Sequence, residues 1–471
     1  MVSKTKIVAT VGPASRELAV LIKLARAGAD VFRINFSHGS LEEHQRELDN
    51  IRRAELETGE PLAVMGDLCG PKMRVGRMEA GGAALAEGSE LIIQRAPIEG
   101  NARRISTTVP ELIDDVRPGE RIRLDDGKLE LEVKMVRVPD EIVCRVITGG
   151  FLAGGKGIHL PQTHLSLAAL TEKDRSDVRW IAERDFDFVA LSFVQDPESV
   201  LELRGLLASA GSSAKIIAKI EKPRALEKIK PIIEAADAIL VARGDMGVEM
   251  DLPEVPLVQK RLAVLCRDSG KPCIIATQML ESMTANPTPT RAEVSDVANA
   301  VFDMGDAVML SGETAIGQYP EPAVKMMNSI VQRAEEYQQK QPGHEFITGP
   351  IAGGNAAIAR AVHTIVHSEP VQAVVAFSVT GATAQALSKM RLSVPVLLLT
   401  PNMRVMRQAC LLYGVQARQA ATPEHTRDVL EIAGQTVLKL GWAGKGERIV
   451  VVSGRPLGQP GSTNTLVVHT L

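Results

Sequence analysis

AKIIAKIEKPRALEKIKPIIEAADAILVARGDMGVE, residues 214–249, holds two apolar, β-branched runs joined by a longer amphipathic segment, and each run ends in charged residues. Runs of that kind suit the strands of a parallel sheet covered on both faces, with the segment between them as the crossover helix. Along the first run side chains alternate faces, so Lys219 and Glu221 reach into the same space. Asp245 follows AILVARG (238–244), where the second strand gives way to a loop. Two carboxylates beside an ammonium suit phosphoryl-transfer or enolate chemistry. Hard carboxylate oxygens favour Mg²⁺, which usually takes only one or two protein carboxylates and fills its octahedron with water and substrate oxygens. A solvated ion pair between Lys219 and Glu221 would use the same residues, so the neighbouring segments decide.

Working outward, the same strand-like run recurs as KIVATVG (6–12), VFRINFS (31–37), LAVMGDL (62–68), FDFVALSF (186–193), CIIATQM (273–279) and AVMLSGE (307–313), which makes eight with the first two. Eight such units predict a (β/α)₈ barrel. The gap between residues 68 and 186 is too long for one crossover, and its runs ELIIQ (90–94), RIRLDDGKLELEV (121–133) and EIVCRVI (141–147) alternate with the period of antiparallel strands. We therefore expect the barrel in two parts, residues 1–70 and 168–345, with a β-barrel-like lid domain, 71–167, inserted over its catalytic face. Beyond a polar connection, AVVAFS (373–378), PVLLLT (395–400), GVQARQA (414–420), RIVVVSG (448–454) and TLVVHTL (465–471) predict an open α/β domain over 346–471.

Composition narrows the function classes. A net charge of −3 with interspersed signs offers no basic field for nucleic acid and no basic block for a membrane surface, so small-molecule substrates are expected. No apolar run approaches the roughly 20 residues of a membrane helix, and MVSKTKIVAT lacks the regions of a signal peptide, which predicts a cytoplasmic protein. Five scattered cysteines without a C-x-x-C pair argue against a disulfide framework or a zinc site. His44, His363 and His367, with Trp180 and Trp442, read as ordinary satisfied or packing residues.

The polar strand ends carry the rest. RINFSH places Arg33, Asn35 and Ser37 on one face with His38 opening the loop; GDLCGPKMR adds Asp67, Lys72 and Arg74; ATQMLESM adds Thr277; MLSGETA adds Ser311 and Glu313. Inward polar groups are costly unless they line a site. Arg33 can clamp a phosphate or carboxylate bidentately. In this order and spacing, KIVATVGPAS, RINFSHG, GDLCGPKMR, AKIEKP, ARGDMGVE, ATQMLESM and LSGETAIGQYP resemble the pyruvate kinases over essentially the whole chain.

The resemblance implies transfer of the phosphoryl group of phosphoenolpyruvate to ADP, giving ATP and an enolpyruvate that is protonated to pyruvate. Position by position it makes Lys219 the transition-state lysine, Glu221 and Asp245 the ligands of Mg²⁺ (or Mn²⁺), and Arg33 the grip on the substrate phosphate. Gly244 and Asp245 match a loop whose amides hold the substrate carboxylate, and Thr277 with Ser311 and Glu313 matches a cluster positioning a proton donor. Asn35, His38, Arg74 and the lid residue Lys156 match nucleotide-phosphate contacts. Many members need K⁺ near the positions of Asn35, Ser37, Asp67 and the Leu68 carbonyl, and carry Thr after that Asp and Glu after Gly-Pro. Here Leu68 and Lys72 stand instead. In that branch the lysine ammonium is taken to replace the ion, so K⁺ is expected to be dispensable; the alternative is a Lys72 that merely faces solvent.

In the terminal domain Ser378, Thr380, Gly381 and Thr383, with Arg455, are similar to the family's effector region for a sugar phosphate or nucleotide, although plain turn chemistry accounts for the same residues. The family forms homotetramers, the state expected here. Two other readings stay open: a Mg²⁺-dependent phosphoenolpyruvate or pyruvate carbon-bond lyase on a related barrel, and a catalytically silent sugar-phosphate sensor, which would be expected to lack Lys219, Glu221 or Asp245.

Overall fold

The computed structural model of the chain describes residues 3–163, 166, 168–341, 355–459, 461 and 463–471. The expected boundaries at 167 and at 345/346 fall outside that set.

The first three strands, β1 (Lys6–Thr10), β2 (Val31–Asn35) and β3 (Ala63–Asp67), lead into the inserted domain. That domain carries β4 (Gly82–Leu85), β5 (Glu90–Gln94), β6 (Arg104–Ser106), β7 (Arg121–Leu124), β8 (Leu129–Arg137), β9 (Glu141–Thr148), β10 (Gly150–Ala153) and β11 (Ile158–His159). The chain then returns through β12 (Phe188–Leu191), β13 (Lys215–Ile220), β14 (Ala238–Ala242), β15 (Cys273–Ala276) and β16 (Ala307–Leu310). These five and the first three close into one parallel barrel in the order β1-β16-β15-β14-β13-β12-β3-β2.

Strand alternation builds the site directly. Val8, Val31, Met65, Ala190, Ile217 and Met309 fill the barrel lumen as one buried cluster. Two residues further along stand Thr10, Arg33, Asp67 and Lys219 on the same strands and, just past β12 and β16, Ser192 and Ser311. The lumen-facing row thus turns polar at the carboxyl ends, where a (β/α)₈ barrel carries its chemistry.

The barrel floor has a regularity of its own. An aspartate precedes every second barrel strand, and its carboxylate accepts an amide from the first or second residue of the barrel strand before: Asp30 from Ile7 at 2.9 Å, Asp187 from Val64 at 2.8 Å, Asp237 from Ile216 at 2.8 Å and Asp306 from Cys273 at 2.7 Å. Each also meets a cation: Lys6, Arg52, Arg204, and for Asp306 both Lys389 and Arg391. A strand amide buried at the floor needs an acceptor, and a charged one is the stronger choice.

In the lid, a six-stranded sheet runs β11-β7-β8-β9-β5-β6 beside a two-stranded pair β10-β4. Its pairs are antiparallel except β5 with β6, which lie parallel because the intervening chain crosses back before pairing. The terminal domain, β17 (Val371–Phe377), β18 (Val396–Thr400), β19 (Val415–Gln419), β20 (Arg448–Gly454) and β21 (Thr463–Thr470), forms an open sheet β19-β18-β17-β20-β21. Its last strand is antiparallel. This domain docks on the barrel through charge: the Arg407 guanidinium holds both oxygens of Glu55 and also reaches Asp185, while Gln408 donates to the carbonyls of Asp187 and Ser213.

Candidate active site

Lys219 enters from β13 and its ammonium donates to Ser192 Oγ at 2.7 Å, with Glu221 Oε1 at 2.9 Å and Asp67 Oδ1 at 3.3 Å. Burial lowers its pKa, but the two carboxylates outweigh that and hold it above the ordinary lysine value. Arg33 lies across the same aspartate, with Nε 2.7 Å and Nη2 2.6 Å from Asp67 Oδ2, and Nη1 donates to Thr10 Oγ1 at 3.1 Å. Asp67 is therefore the hub: one carboxylate between two buried cations. Burial pushes its pKa up, yet Lys219 and Arg33 overcome this and leave it below the usual range.

Glu221 accepts the Phe193 amide at 3.0 Å through Oε2. Its pKa is raised, first by burial and further by the negative charge of Asp245, against the pull of Lys219. A buried carboxylate repelled by a second one is a place a divalent cation would relieve. Among the described residues no group of three or more His, Cys, Asp and Glu is set to hold a metal. Two carboxylates with open coordination positions fit Mg²⁺, which takes the rest of its shell from water and substrate.

Asp245 and Gly244 lie in the first turn of a short helix, Arg243–Glu249, at the end of β14. The Gly244 amide donates to Thr277 Oγ1 at 2.7 Å, and the Thr277 hydroxyl donates to the Ala276 carbonyl at 2.6 Å, so this threonine ties the loops after β14 and β15 together. Thr277 and Gln278 hold φ of 69° and 55°. For a β-branched residue that left-handed conformation is strained, and such strain gathers at sites whose surroundings enforce it. Glu313 is buried and accepts the Leu280 and Ser311 amides at 3.1 and 2.7 Å, while burial raises its pKa. It braces the loops after β15 and β16; none of its hydrogen bonds among the described residues reaches Thr277.

On the β2 side, Asn35 Oδ1 accepts the Ser37 amide at 3.1 Å and the Lys72 ammonium donates to Ser37 Oγ at 2.9 Å. Lys72 thus turns inward toward the site, and burial, set against the pull of Cys69 and then the push of Lys219, lowers its pKa. The Leu68 carbonyl accepts the Ser192 hydroxyl at 2.8 Å. His38 is held below its usual pKa by partial burial and then by Lys72, Arg74 and Arg33, which places it beside that cationic group. Lys156 is elsewhere: its ammonium sits 2.8 Å from Asp125 within the lid, which raises its pKa.

In the terminal domain Ser378, Thr380 and Thr383 line one small cavity with Gly454 and Thr463. Ser378 Oγ accepts the Gly381 amide at 3.1 Å and Thr383 meets Thr463 at 2.7 Å, so these hydroxyls are engaged with one another's loops. Arg455 is outside that lining; its backbone pairs with Asn464.

Sequence reading passed over Thr10 and Ser192, and placed Asp67 among the polar strand ends and in a monovalent-cation region without pairing it with Lys219 or Arg33. Their positions, one alternation beyond lumen residues Val8, Ala190 and Met65, were the available signal.

The family model described as "Pyruvate kinase, barrel domain" matches residues 2–324, and that described as "Pyruvate kinase, alpha/beta domain" matches 356–469. The pyruvate kinase of Geobacillus stearothermophilus is 44% identical over all of this chain and 81% of its own length. That of Staphylococcus aureus (strain USA300) is 40% identical over 99% of the chain and 80% of its length. Among solved structures, a pyruvate kinase from Cryptosporidium parvum superposes with a TM-score of 0.93 at 32% identity, covering 99% of this chain and 96% of that one.

Proposed function

Because the chain belongs to the pyruvate kinase family and transfers the phosphoryl group of phosphoenolpyruvate to ADP, we propose that the cluster of Arg33, Asp67, Lys219, Glu221 and Asp245 is where that transfer takes place. The observation that carries the reading is the buried Lys219 ammonium, kept protonated by Asp67 and Glu221 at the carboxyl end of the barrel. Fixed there, it faces the charge that spreads over the phosphoryl oxygens in the transition state without any reorganisation at that moment. Arg33, locked by Asp67 and Thr10, offers a rigid guanidinium fork to the substrate phosphate. Glu221 and Asp245 would hold Mg²⁺, which when bound neutralises substrate oxygens and stabilises the enolate. Thr277 keeps the loops after β14 and β15 at a fixed spacing, and we assign it and the Ser311–Glu313 brace to ordering the groups that protonate the enolate.

Asn35, His38 and Arg74 are assigned to the nucleotide phosphates, and Lys156 joins them only once the lid of residues 71–167 closes and its side chain exchanges Asp125, its partner within the lid, for the nucleotide. Purified protein should form pyruvate only with ADP and a divalent cation both present. Pyruvate release without nucleotide would revive the lyase reading, which the family match does not favour.

We further assign Lys72 to the place of the monovalent cation. Its ammonium is 2.9 Å from Ser37 Oγ and within the electrostatic reach of Asp67 and Lys219. Turnover in tetramethylammonium buffer should hardly change on adding K⁺, whereas Lys72→Glu, which withdraws about two units of charge, should make activity depend on K⁺ at least tenfold. Strong K⁺ activation of the unaltered enzyme would discard the assignment.

We likewise propose a homotetramer, cytoplasmic residence and an effector bound among Ser378, Thr380, Gly381, Thr383 and Arg455. No helix among the described residues is long and apolar enough to cross a membrane. Phosphoenolpyruvate saturation curves that stay unchanged with every sugar phosphate and nucleotide tried would retire the effector site.

A further inference from the structure

The lid grips the barrel at one place that the transfer chemistry does not use. His159 on β11 and Arg123 on β7 are direct cross-strand partners. Both reach the carboxyl end of the helix Arg243–Glu249: the Arg123 guanidinium donates to the Val248 and Met250 carbonyls at 2.7 and 3.3 Å, and His159 Nδ1 meets Glu249 Oε1 at 3.1 Å. A cation on the last carbonyls of a helix is favourably placed, since these groups lack partners within the helix.

Glu249 is buried, and the same Oε1 takes the Lys222 ammonium at 2.5 Å. Lys222 follows Glu221 directly and lies 6.0 Å from the centre of the Phe193 ring, whose backbone amide holds Glu221 Oε2. The other oxygen, Glu249 Oε2, is buried without a hydrogen-bond partner among the described residues, so the carboxylate has capacity for one more donor.

One carboxylate therefore joins three things: the lid, the segment bearing Glu221, and the far end of the helix whose first turn bears Asp245. A seven-residue helix is a stiff rod about 10 Å long, so what seats its last turn also seats its first.

We propose that His159 and Arg123 of the lid, with Glu249 and Lys222 of the barrel, form a latch that couples lid seating to the spacing of the Glu221 and Asp245 carboxylates. These are positioning residues, and the inference rests on the reading of those two carboxylates as metal ligands. With the latch made, the lid lies over the barrel mouth while both carboxylate-bearing segments are held in register. With it broken, the lid is free to swing and the two segments lose their shared tether. Lid motions of this type commonly govern substrate capture more than the chemical step.

The test compares His159→Ala, His159→Asn and Arg123→Ala with the unaltered enzyme. A hydrogen bond to a buried charge is commonly worth a tenfold or larger change in an equilibrium. His159→Ala should therefore raise both the KM for ADP and the Mg²⁺ concentration for half-maximal activity by about tenfold, with kcat changing less than about threefold. Amide hydrogen exchange should quicken together in residues 121–125 and 243–250. In His159→Asn the amide nitrogen falls near the position of Nδ1, so both constants should return most of the way. Arg123→Ala should move the same two constants in the same direction.

Unchanged ADP and Mg²⁺ constants in both alanine variants would overturn the latch, as would a rise in the ADP constant alone with exchange in 243–250 unmoved. The metal-ligand reading is judged separately by Glu221→Gln. If that variant keeps its Mg²⁺ activation while His159→Ala still quickens exchange in both segments, the site assignment fails and the mechanical link stands.

Discussion

Lys219→Met lowers kcat by about a thousandfold or more while the protein stays folded. Methionine fills nearly the volume of the lysine stem but presents no charge, so the change isolates the ammonium. In the unaltered protein that ammonium is fixed by Ser192, Glu221 and Asp67 at 2.7, 2.9 and 3.3 Å, and its burial from bulk water limits the screening of its field at the transferring phosphoryl group. Losing one preorganised donor of this kind costs about 10²–10³ in rate where measured, and here the lost group carries a full charge. Asp67 keeps Arg33 as a partner in the variant, which limits the structural damage. Steady-state kinetics with circular dichroism as the folding control checks the expectation. Turnover within tenfold of the unaltered enzyme would reverse the assignment of Lys219.

Asp306→Ala produces the largest expected loss of stability, about 3–5 kcal/mol. The carboxylate lies at the barrel floor and meets Lys389 at 2.6 Å and Arg391 at 3.1 Å, both reaching down from the terminal domain and all three essentially inaccessible to solvent. It also accepts the Cys273 amide at 2.7 Å. Removing it strands two cations and a buried amide at once, and an uncompensated buried charge is far more costly than an intact pair is stabilising. Arg391 retains the Met304 and Gly305 carbonyls and the face of Tyr413, 3.6 Å from the guanidinium carbon, which softens its loss, whereas the Lys389 ammonium has no second partner among the described residues. Chemical denaturation should show the barrel and terminal domain uncoupling at lower denaturant than in the unaltered enzyme. An unchanged midpoint would mean the interface draws its strength from Arg407 and Glu55 instead.

The pattern at Asp306 also marks where sequence reading stopped short. Asp30, Asp187, Asp237 and Asp306 each stand directly before or at the start of a strand-like run, in GADVF, DFDFV, AADAI and MGDAV, and the recurrence is visible once the strands are known. What an isolated aspartate before a strand does not reveal is that its acceptor duty falls on the strand before it. Ser192 and Thr10 were missed for a related reason: a hydroxyl at the end of an apolar run is common turn chemistry. It becomes part of a site only when the barrel closes and places it against Lys219 or Arg33. Lys156 shows the converse, because the motif names it while the geometry holds it 2.8 Å from Asp125 inside the lid.

Local patterning laid out the eight strand units, the insertion after the third and the open terminal sheet, and it put forward Lys219, Glu221, Asp245 and Arg33 as candidates whose roles came from the resemblance to the family. Period-two alternation and strand-end polarity are properties of neighbouring residues, and the chain carries them without folding. Folding alone decided that Asp67 would bind two cations, that Lys72 would turn toward Ser37, and that His159 would meet Glu249. Those pairs lie up to 152 residues apart along the chain. Charges that far apart acquire an energy of interaction only when closure of the barrel and seating of the lid bring them within a few ångströms and exclude water between them.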